Sequence, residues 1–473
     1  MRRTRYCATL VLAAAALACH AQAPNPTSAM NPFFGSITAH PATSETLHLS
    51  LDDAIRRGLE NNLGLKEAEE AENAVKGEKN EALQEFLPTV TLSGGTGVFQ
   101  HNLAAMGFSP SLASQFPSGS FSSGFSLITR DDLTRGQVNY RQSLFSGPVI
   151  AGYRAARAAE KVVYYAKESA RGDVIEQVAS AYLMSVAAGS QVDNASAQEA
   201  ADRLLFEQAR AAHEAGTASN LDELRARVQW QAQQQALIAS RNALEKDLIL
   251  LKRETGIDPG QKIQLTDPTP YSDLATRTPG EVRAEAYKNR QDYQNLIHQV
   301  IEYRAVRSAY RSQRLPRLSF SGFYGVDTVN GAGTHGNFAA VGTLSMPLFH
   351  EAELRGNEDA AAAQLTAVTA QLADLREHID EQVRDALLDV EAAHKLVEVA
   401  RSNVDLATQA LSDENDRVKA GVDDNLPLVT AQATLAAAKS NLVESLYRYN
   451  MAKLGLARAA GVLESQFRAY LGR

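Results

Sequence analysis

The sequence predicts a mainly α-helical chain with four membrane β-strands, built from two tandem repeats. Three observations predict this fold class. Short landmark motifs recur at a constant spacing, the segments beside them alternate apolar and polar residues, and the remaining segments have helical composition and matched lengths. This double arrangement indicates one duplicated unit rather than several unrelated domains.

The N-terminal segment is typical of an exported protein. Three arginines precede an apolar run from 8 to 18, and this order is the anatomy of a signal peptide. We expect the signal peptide to cover 1–18, with cleavage as late as 23. Cys19 follows the tripeptide Ala-Leu-Ala, which has two interpretations: a cleavage site with an incidental cysteine, or the lipidation site of a bacterial lipoprotein.

Composition and motifs exclude several classes of function. The formal charge of −8 becomes −11 without the three N-terminal arginines, which argues against a nucleic-acid partner. The other cysteine, Cys7, lies within the signal peptide, so the mature chain can form no internal disulfide and no metal-thiolate site. The HExxH pattern that begins at His350 ends in Leu354, no GxSxG occurs and the ten histidines are scattered. We therefore expect neither an enzyme nor a cofactor or metal site.

The chain repeats itself after about two hundred residues. The segment at 87–94 reads LPTVTLSG and returns at 315–322 as LPRLSFSG, an offset of 228 residues. The motif LFSG at 144 returns as LFHE at 348, and an AG turn at 215 returns at 420, with offsets of 204 and 205. The larger first offset reflects extra residues in the first copy, which form a Ser/Gly-rich loop.

Segments next to these landmarks have the period of β-strands. Leu318, Phe320 and Tyr324 fall on one face of such a segment, whereas Ser319 and Ser321 fall on the other. The same alternation predicts strands in two hairpins, at about 87–100, 136–146, 315–328 and 337–349. Each strand is long enough, at roughly 10 residues, to cross an outer membrane at a tilt.

The hairpin assignment also explains a GxGxxG pattern at Gly331, Gly333 and Gly336. In dinucleotide-binding enzymes this pattern joins a strand to a helix, whose N-terminus receives the pyrophosphate. Here it lies between two predicted strands, so no helix N-terminus is available. We interpret it as a hairpin loop.

Helical segments of matched length follow the strands. The segments 149–214 and 354–419 each predict a rod of about 100 Å at ~1.5 Å per residue, and each ends at a glycine turn. Half-length helices at 51–86 and 221–254 flank the first rod, and the second copy repeats the arrangement. The final return helix carries large residues at sevenfold spacing, which favours close coiled-coil packing: Leu428, Leu435, Leu442, Tyr449 and Leu456.

Four strands are too few to close a barrel, because about eight is the usual minimum. The chain is therefore expected to oligomerise. Three chains would supply twelve strands and two chains would supply eight, and the strand count alone leaves both open.

The order of these motifs resembles that of the TolC-like outer membrane efflux proteins (outer membrane factors) over nearly the whole mature chain. The resemblance rests on LSLDDAIRRGLENN at the start of the first repeat, on the two LP strand starts, on the strand ends SLFSG and MPLFHE, and on the AG turns before NLDEL and NLPL. It implies a homotrimer with one outer membrane β-barrel, continued by a long periplasmic α-helical barrel. It also implies the function of a passive outer membrane channel in a tripartite efflux or type I secretion system of a Gram-negative bacterium. The implied partners are a periplasmic adaptor (membrane fusion) protein, an inner-membrane pump and outer membrane lipid.

The resemblance further implies where the adaptor docks. The docking surface would be formed by two helix-turn-helix tips, whose turns are Ala215, Gly216 and Thr217 in the first copy and Ala420, Gly421 and Val422 in the second. Each glycine also has a purely structural interpretation as the left-handed residue that ends a helix.

A periplasmic gate is implied next to these turns, but the chain departs from the family pattern there. Asp222 matches the acid of the first turn, whereas Val418 and Asp423 occupy the positions of the tyrosine and arginine that hold it. The remaining acids, Asp222, Asp423 and Asp424, would place nine carboxylates at the mouth of a trimer and favour cations. Acids at helix N-termini have a competing explanation as solvated helix starts.

The alternative from another class is an exported coiled-coil surface or scaffold protein without a channel. Such a protein has no need of two strand hairpins at equal intervals. We divide the chain after the signal peptide into an extended N-terminal segment at 24–50, a first repeat at 51–257, a linker at 258–280, a second repeat at 281–462 and a C-terminal tail at 463–473.

Overall fold

A computed structural model of the protein describes residues 33, 35–102, 105, 128–267, 271–329, 333–419 and 425–472. The helices are α1 (Leu51–Asn61), α2 (Leu63–Gln84), α3 (Gly147–Glu214), α4 (Asn220–Thr255), α5 (Pro279–Asn289), α6 (Gln291–Ser312), α7 (Glu351–Lys419), α8 (Asn425–Ala459) and α9 (Leu463–Leu471). Within the described residues, none of these helices combines the length and apolarity needed to cross a membrane.

The two long rods are confirmed. The first, α3, has 68 residues and the second, α7, has 69. The sevenfold row on α8 is also confirmed as a packing row, because Leu428, Tyr449 and Leu456 are buried and the two leucines between them are partly buried.

The helix expected over 51–86 is interrupted. Asn62 adopts an extended conformation between α1 and α2. Its side chain accepts a hydrogen bond from the Leu65 backbone N–H at 3.1 Å and donates one to the Phe33 carbonyl at 2.7 Å. The break recurs 228 residues later at Arg290, which separates α5 from α6 and is also extended. Each break is therefore part of the repeated unit.

Besides two short strands, β1 (Leu47–Leu49) and β4 (Ile263–Leu265), the described chain has four long strands that form one antiparallel sheet. Their bounds are β2 (Thr89–Asn102), β3 (Ile128–Phe145), β5 (Arg317–Val329) and β6 (Gly333–Ser345). Both predicted hairpins are confirmed by the pairing of β2 with β3 and of β5 with β6. The pairing of β3 with β5 joins the hairpins into a single sheet.

The strand expected from about 136 begins earlier, at Ile128. The intervening segment, ITRDDLTRG, is charged and lacks apolar alternation, so its sequence pattern gave no strand signal. Pairing with β2 extends to Asn102 opposite Ile128 and satisfies the backbone of this segment.

The GxGxxG pattern lies in the β5-β6 hairpin, as predicted. β5 ends at Val329 and pairs with Gly333 at the start of β6, which also contains Gly336. Gly331 lies outside the described residues. No helix begins at this hairpin among the described residues, so the nucleotide-binding geometry is not present there.

Segments outside the two repeats take part in the fold. The N-terminal segment contributes β1 (Leu47–Leu49), which pairs in parallel with β4 (Ile263–Leu265) of the linker. The C-terminal segment, expected to be a tail, instead forms α9, which buries Leu463, Phe467 and Leu471. The spacing of the four buried residues, which are these three and Tyr470, explains this helix, because it gives the helix one apolar face.

The described chain forms two compact units. One comprises the described parts of Met1–Glu72, Val163–Leu296 and Gln371–Arg473, and it holds the main apolar core, in which Tyr182, Leu251 and Ile379 are almost fully buried. The other comprises Asn73–Val162 and Ile297–Ala370 and contains the four-stranded sheet.

Candidate functional site

The sheet has one apolar and one polar face. Leu92, Val138, Tyr324 and Phe338 stand directly opposite one another across the four strands. Because side chains alternate between faces along a strand, these residues share one face with Val90, Tyr140 and Phe320. This register confirms the alternation predicted from the sequence.

The apolar face matches the thickness of an outer membrane. On β5 it runs without a charged residue from Leu318 to Val326. At about 3.4 Å per residue this band extends roughly 27 Å along the strand. A tilt of about 40° reduces it to about 21 Å, close to the ~25 Å apolar band of outer membrane barrels. Its large side chains are exposed in the single chain: Leu92, Tyr324, Phe338 and Leu344 are each more than two-thirds accessible.

The polar face carries a hydrogen-bonded network. Arg135 on β3 donates to both carboxylate oxygens of Asp327 on β5, at 2.8 and 3.1 Å, and Asn337 on β6 donates to the same carboxylate at 3.1 Å. Nearer to the end of β3 that leads into α3, Asn139 donates to the Ser93 hydroxyl on β2 at 2.9 Å. Polar groups that satisfy one another in this way suit a face in contact with water.

Both outer strands of the sheet have an open edge. Among the described residues, β2 pairs only with β3 and β6 pairs only with β5. The backbone groups on the far sides of these strands lack sheet partners in the part of the chain that the structure describes. An open edge is a template for pairing with another chain.

The first helix-turn-helix tip is a glycine-dependent turn. Gly216 has a φ of +74°, which is the left-handed conformation. Its N–H bonds to the His213 carbonyl and the Thr217 N–H bonds to the Ala212 carbonyl, both at 2.9 Å. These two bonds form a Schellman motif, which satisfies the last carbonyls of α3. Ala215 precedes the glycine, so the predicted tip residues form one tight turn.

Asp222 closes the N-terminal cap of α4. Its carboxylate accepts bonds from the Ser219 hydroxyl at 2.7 Å and backbone N–H at 3.3 Å, while its own N–H donates to the Ser219 hydroxyl at 3.2 Å. These bonds from Ser219 lower the pKa of the Asp222 carboxyl. Asp222 is thus a capping residue, and its part in a gate stays a prediction.

The second predicted tip lies outside the described residues. α7 ends at Lys419 and α8 begins at Asn425. The residues between these two helices are Ala420, Gly421, Val422, Asp423 and Asp424. Cys19 also lies outside them, so its lipidation stays a prediction.

Sequence reasoning missed a set of polar contacts between α3 and α4, because it treated Trp230 only as part of a packing row. The Trp230 indole N–H donates to Glu199 at 2.7 Å, and its ring stacks on Phe206 at 5.4 Å between centroids. Gln229 donates to Asp202 at 3.3 Å. The spacing of α3 and α4 residues around the turn gave no signal for these pairs, because facing residues in a helical hairpin depend on its crossing geometry.

A family comparison identifies related sequences. The family described as "Outer membrane efflux protein" matches residues 54–256 and 282–462 of this chain. The alkaline protease secretion protein AprF of Pseudomonas aeruginosa is 25% identical over 349 residues, which cover 69% of each protein. The outer membrane protein OprJ of the same organism is 24% identical over 207 residues, which cover 43% of this chain and 41% of OprJ.

Solved structures share the fold. The CmeC outer membrane channel of Campylobacter jejuni superposes with a TM-score of 0.70 at 16% identity, covering 93% of each chain. The outer membrane protein VceC of Vibrio cholerae superposes with a TM-score of 0.69 at 17% identity, covering 87% of this chain and 96% of VceC.

Proposed function

The chain belongs to the outer membrane efflux protein family, and from this premise we propose that it is the passive outer membrane channel of a tripartite efflux or type I secretion system. The protein lies in the outer membrane of a Gram-negative bacterium, with its helical part in the periplasm. The family description supports efflux, whereas the similarity to AprF, an alkaline protease secretion protein, supports protein secretion.

One observation carries this proposal: a sheet with an apolar face, a polar face and two open edges. The apolar face suits lipid and the polar face suits a water-filled lumen. The open edges require further strands, because unpaired backbone groups are not tolerated in the hydrocarbon region of a membrane. A barrel completed by other copies of this chain satisfies all three requirements.

We assign the assembly as a homotrimer. Three sheets give twelve strands, and three sets of long helices would continue the barrel into the periplasm. Channels of this family act with a periplasmic adaptor and an inner-membrane pump, and we propose both as partners of this chain. The docking surface would be formed by the two tip turns, around Gly216 and Gly421.

The first prediction concerns assembly. Protein extracted from outer membranes in mild detergent should have a protein mass near three times that of the mature chain, measured by light scattering corrected for bound detergent. A mass that fits one chain would contradict the trimer. A dimer would instead favour an eight-stranded barrel.

The acids near the tips are proposed to line the periplasmic mouth. Asp222 lies in the first turn of α4, and Asp423 and Asp424 immediately precede α8. If the two tips converge on a threefold axis, nine carboxylates meet there and attract cations. The competing explanation is a set of solvated helix starts, and the capping role of Asp222 supports it for that residue.

The second prediction separates these explanations. The combined substitutions Asp222→Asn, Asp423→Asn and Asp424→Asn should lower the ratio of K⁺ to Cl⁻ permeability in planar bilayers. Asn keeps an acceptor oxygen for the Ser219 cap, so α4 should form normally and trimers should persist in electrophoresis. An unchanged permeability ratio would assign all three acids to helix capping alone.

The rival function, a surface or scaffold protein without a channel, is tested by the same bilayers. Purified wild-type protein should produce discrete conductance steps, because a trimer of these sheets encloses a lumen. Membrane-associated trimers without conductance in any voltage range would favour the scaffold.

A further inference from the structure

The polar face of the sheet has an excess of positive charge at its helix-side end. Arg141 on β3 stands opposite Thr89 and Ser321, which lie on this face. Arg317 begins β5 and shares the face of Ser321, because it lies four residues away and faces alternate with a period of two. Both arginines are exposed. They lie where β3 leads into α3 and where β5 follows α6.

These two charges are not neutralised within the described part of the chain. Arg135 on the same face is bound by Asp327, and Asp131 lies 4.0 Å from His101. Neither Arg141 nor Arg317 takes part in an ion pair between described residues. The strand residues around them contain no acid at all, over 89–95, 136–145, 317–326 and 337–345.

We propose that Arg141 and Arg317 form a basic belt in the pore that selects small anions bearing phosphate or carboxylate groups. This inference rests on the proposed function, since it needs the polar face to line the lumen of a trimer. Three chains then contribute six guanidinium groups. Charged rings determine which ions pass a pore, and the planar guanidinium binds phosphate and carboxylate through two parallel hydrogen bonds.

The spacing of the belt limits the electrostatic repulsion between its two rings of arginines. Arg141 is level with Ser321, four residues from Arg317, which corresponds to about 13 Å along the strand at ~3.3 Å per residue. This separation exceeds the Debye length of about 8 Å at physiological salt. The two rings therefore repel each other weakly and act as two successive sites. The sign of this belt is opposite to that proposed for the periplasmic mouth.

The belt is tested by block with inorganic triphosphate in planar bilayers. A multivalent anion added to the chamber on the barrel side reaches the belt without passing the periplasmic mouth. In the wild-type channel it should reduce conductance. In the double variant Arg141→Gln, Arg317→Gln, the half-blocking concentration should rise about tenfold, because both bidentate phosphate contacts are lost in every chain.

Matched variants control this experiment. Arg130→Gln removes the same charge from the opposite face of β3 and should leave the block unchanged, whereas Arg141→Lys with Arg317→Lys keeps the charge without the bidentate geometry and should retain only part of it. If the double variant does not assemble, the single variants Arg141→Gln and Arg317→Gln should each show part of the effect. Equal block of the wild-type and Gln channels would overturn the belt while leaving the channel intact. Wild-type protein that forms no channel would count against the proposed function instead.

Discussion

Leu92→Arg is expected to prevent stable insertion of the protein into the outer membrane. Leu92 lies in the apolar band opposite Val138, and its side chain is 82% accessible in the single chain. In the assembled barrel that exposed surface would face lipid. An arginine on the lipid face near the bilayer midplane costs about 2 to 4 kcal/mol per chain. A trimer would incur this cost three times, so the amount of trimer in outer membrane fractions should fall sharply.

The neighbouring residue supplies the control. Thr91 lies on the polar face opposite Asn139, so Thr91→Arg would place the same charge in the aqueous lumen. This variant should insert and form trimers in amounts close to the wild type, as judged by electrophoresis of unheated and heated samples. Equal loss of trimer in both variants would contradict the assignment of the two faces, since the two positions are neighbours on β2 whose side chains are assigned to opposite faces.

Glu254→Gln is expected to stabilise the helical core at neutral and alkaline pH. Glu254 lies at the end of α4 and is 1% exposed, and neither carboxylate oxygen has a hydrogen-bond partner among the residues that the structure describes. Burial raises the pKa of this carboxyl from 4.5 to about 7. A raised pKa in the folded state means that stability is fully present below pH 4.5 and is lost as the pH rises to about 7. The loss amounts to about 3 kcal/mol, at 1.36 kcal/mol per pKa unit.

The pH profile separates this effect from ordinary packing. Gln is nearly the same size as Glu but carries no charge, so the two proteins should have similar denaturant midpoints at pH 4.5. At pH 8 the variant should have the higher midpoint for loss of helical circular dichroism. The control Glu391→Gln changes an exposed carboxyl on α7 that is bound by Lys395, and it should give no stabilisation at pH 8. A midpoint difference for Glu254→Gln that does not change with pH would contradict the role assigned to its ionisation.

Residue periodicity predicted most of the architecture. The alternation of Leu318 and Phe320 with Ser319 and Ser321 predicted two faces, and the strand register confirms both. The heptad row that contains Leu428 and Tyr449 predicted a buried helix face, and both residues are buried. These predictions succeeded because side-chain direction follows from local backbone geometry, which recurs every two residues in a strand and about every 3.6 in a helix.

Features that depend on a distant partner were missed. No local pattern indicated the breaks at Asn62 and Arg290, since Asn62 is held by the Phe33 carbonyl and Arg290 by Gln382 on α7. The extension of β3 to Ile128 was equally hidden, because pairing with β2 stabilises it rather than apolar alternation. The first tip turn was located from its glycine, but the capping bond between Ser219 and Asp222 became clear only from the side-chain geometry.

The sequence by itself determined the duplicated helix and strand pattern, the two faces of each strand and the need for more than one chain. Only the tertiary structure decided which charges are neutralised: Arg135 is matched by Asp327, 192 residues away, whereas Arg141 has no acid opposite it. It also decided that the Glu254 carboxylate is buried without a hydrogen-bond partner in the described part of the chain. The physical reason is that periodicity follows from short-range backbone geometry, whereas the energy of a charge depends on every group that the fold brings near it.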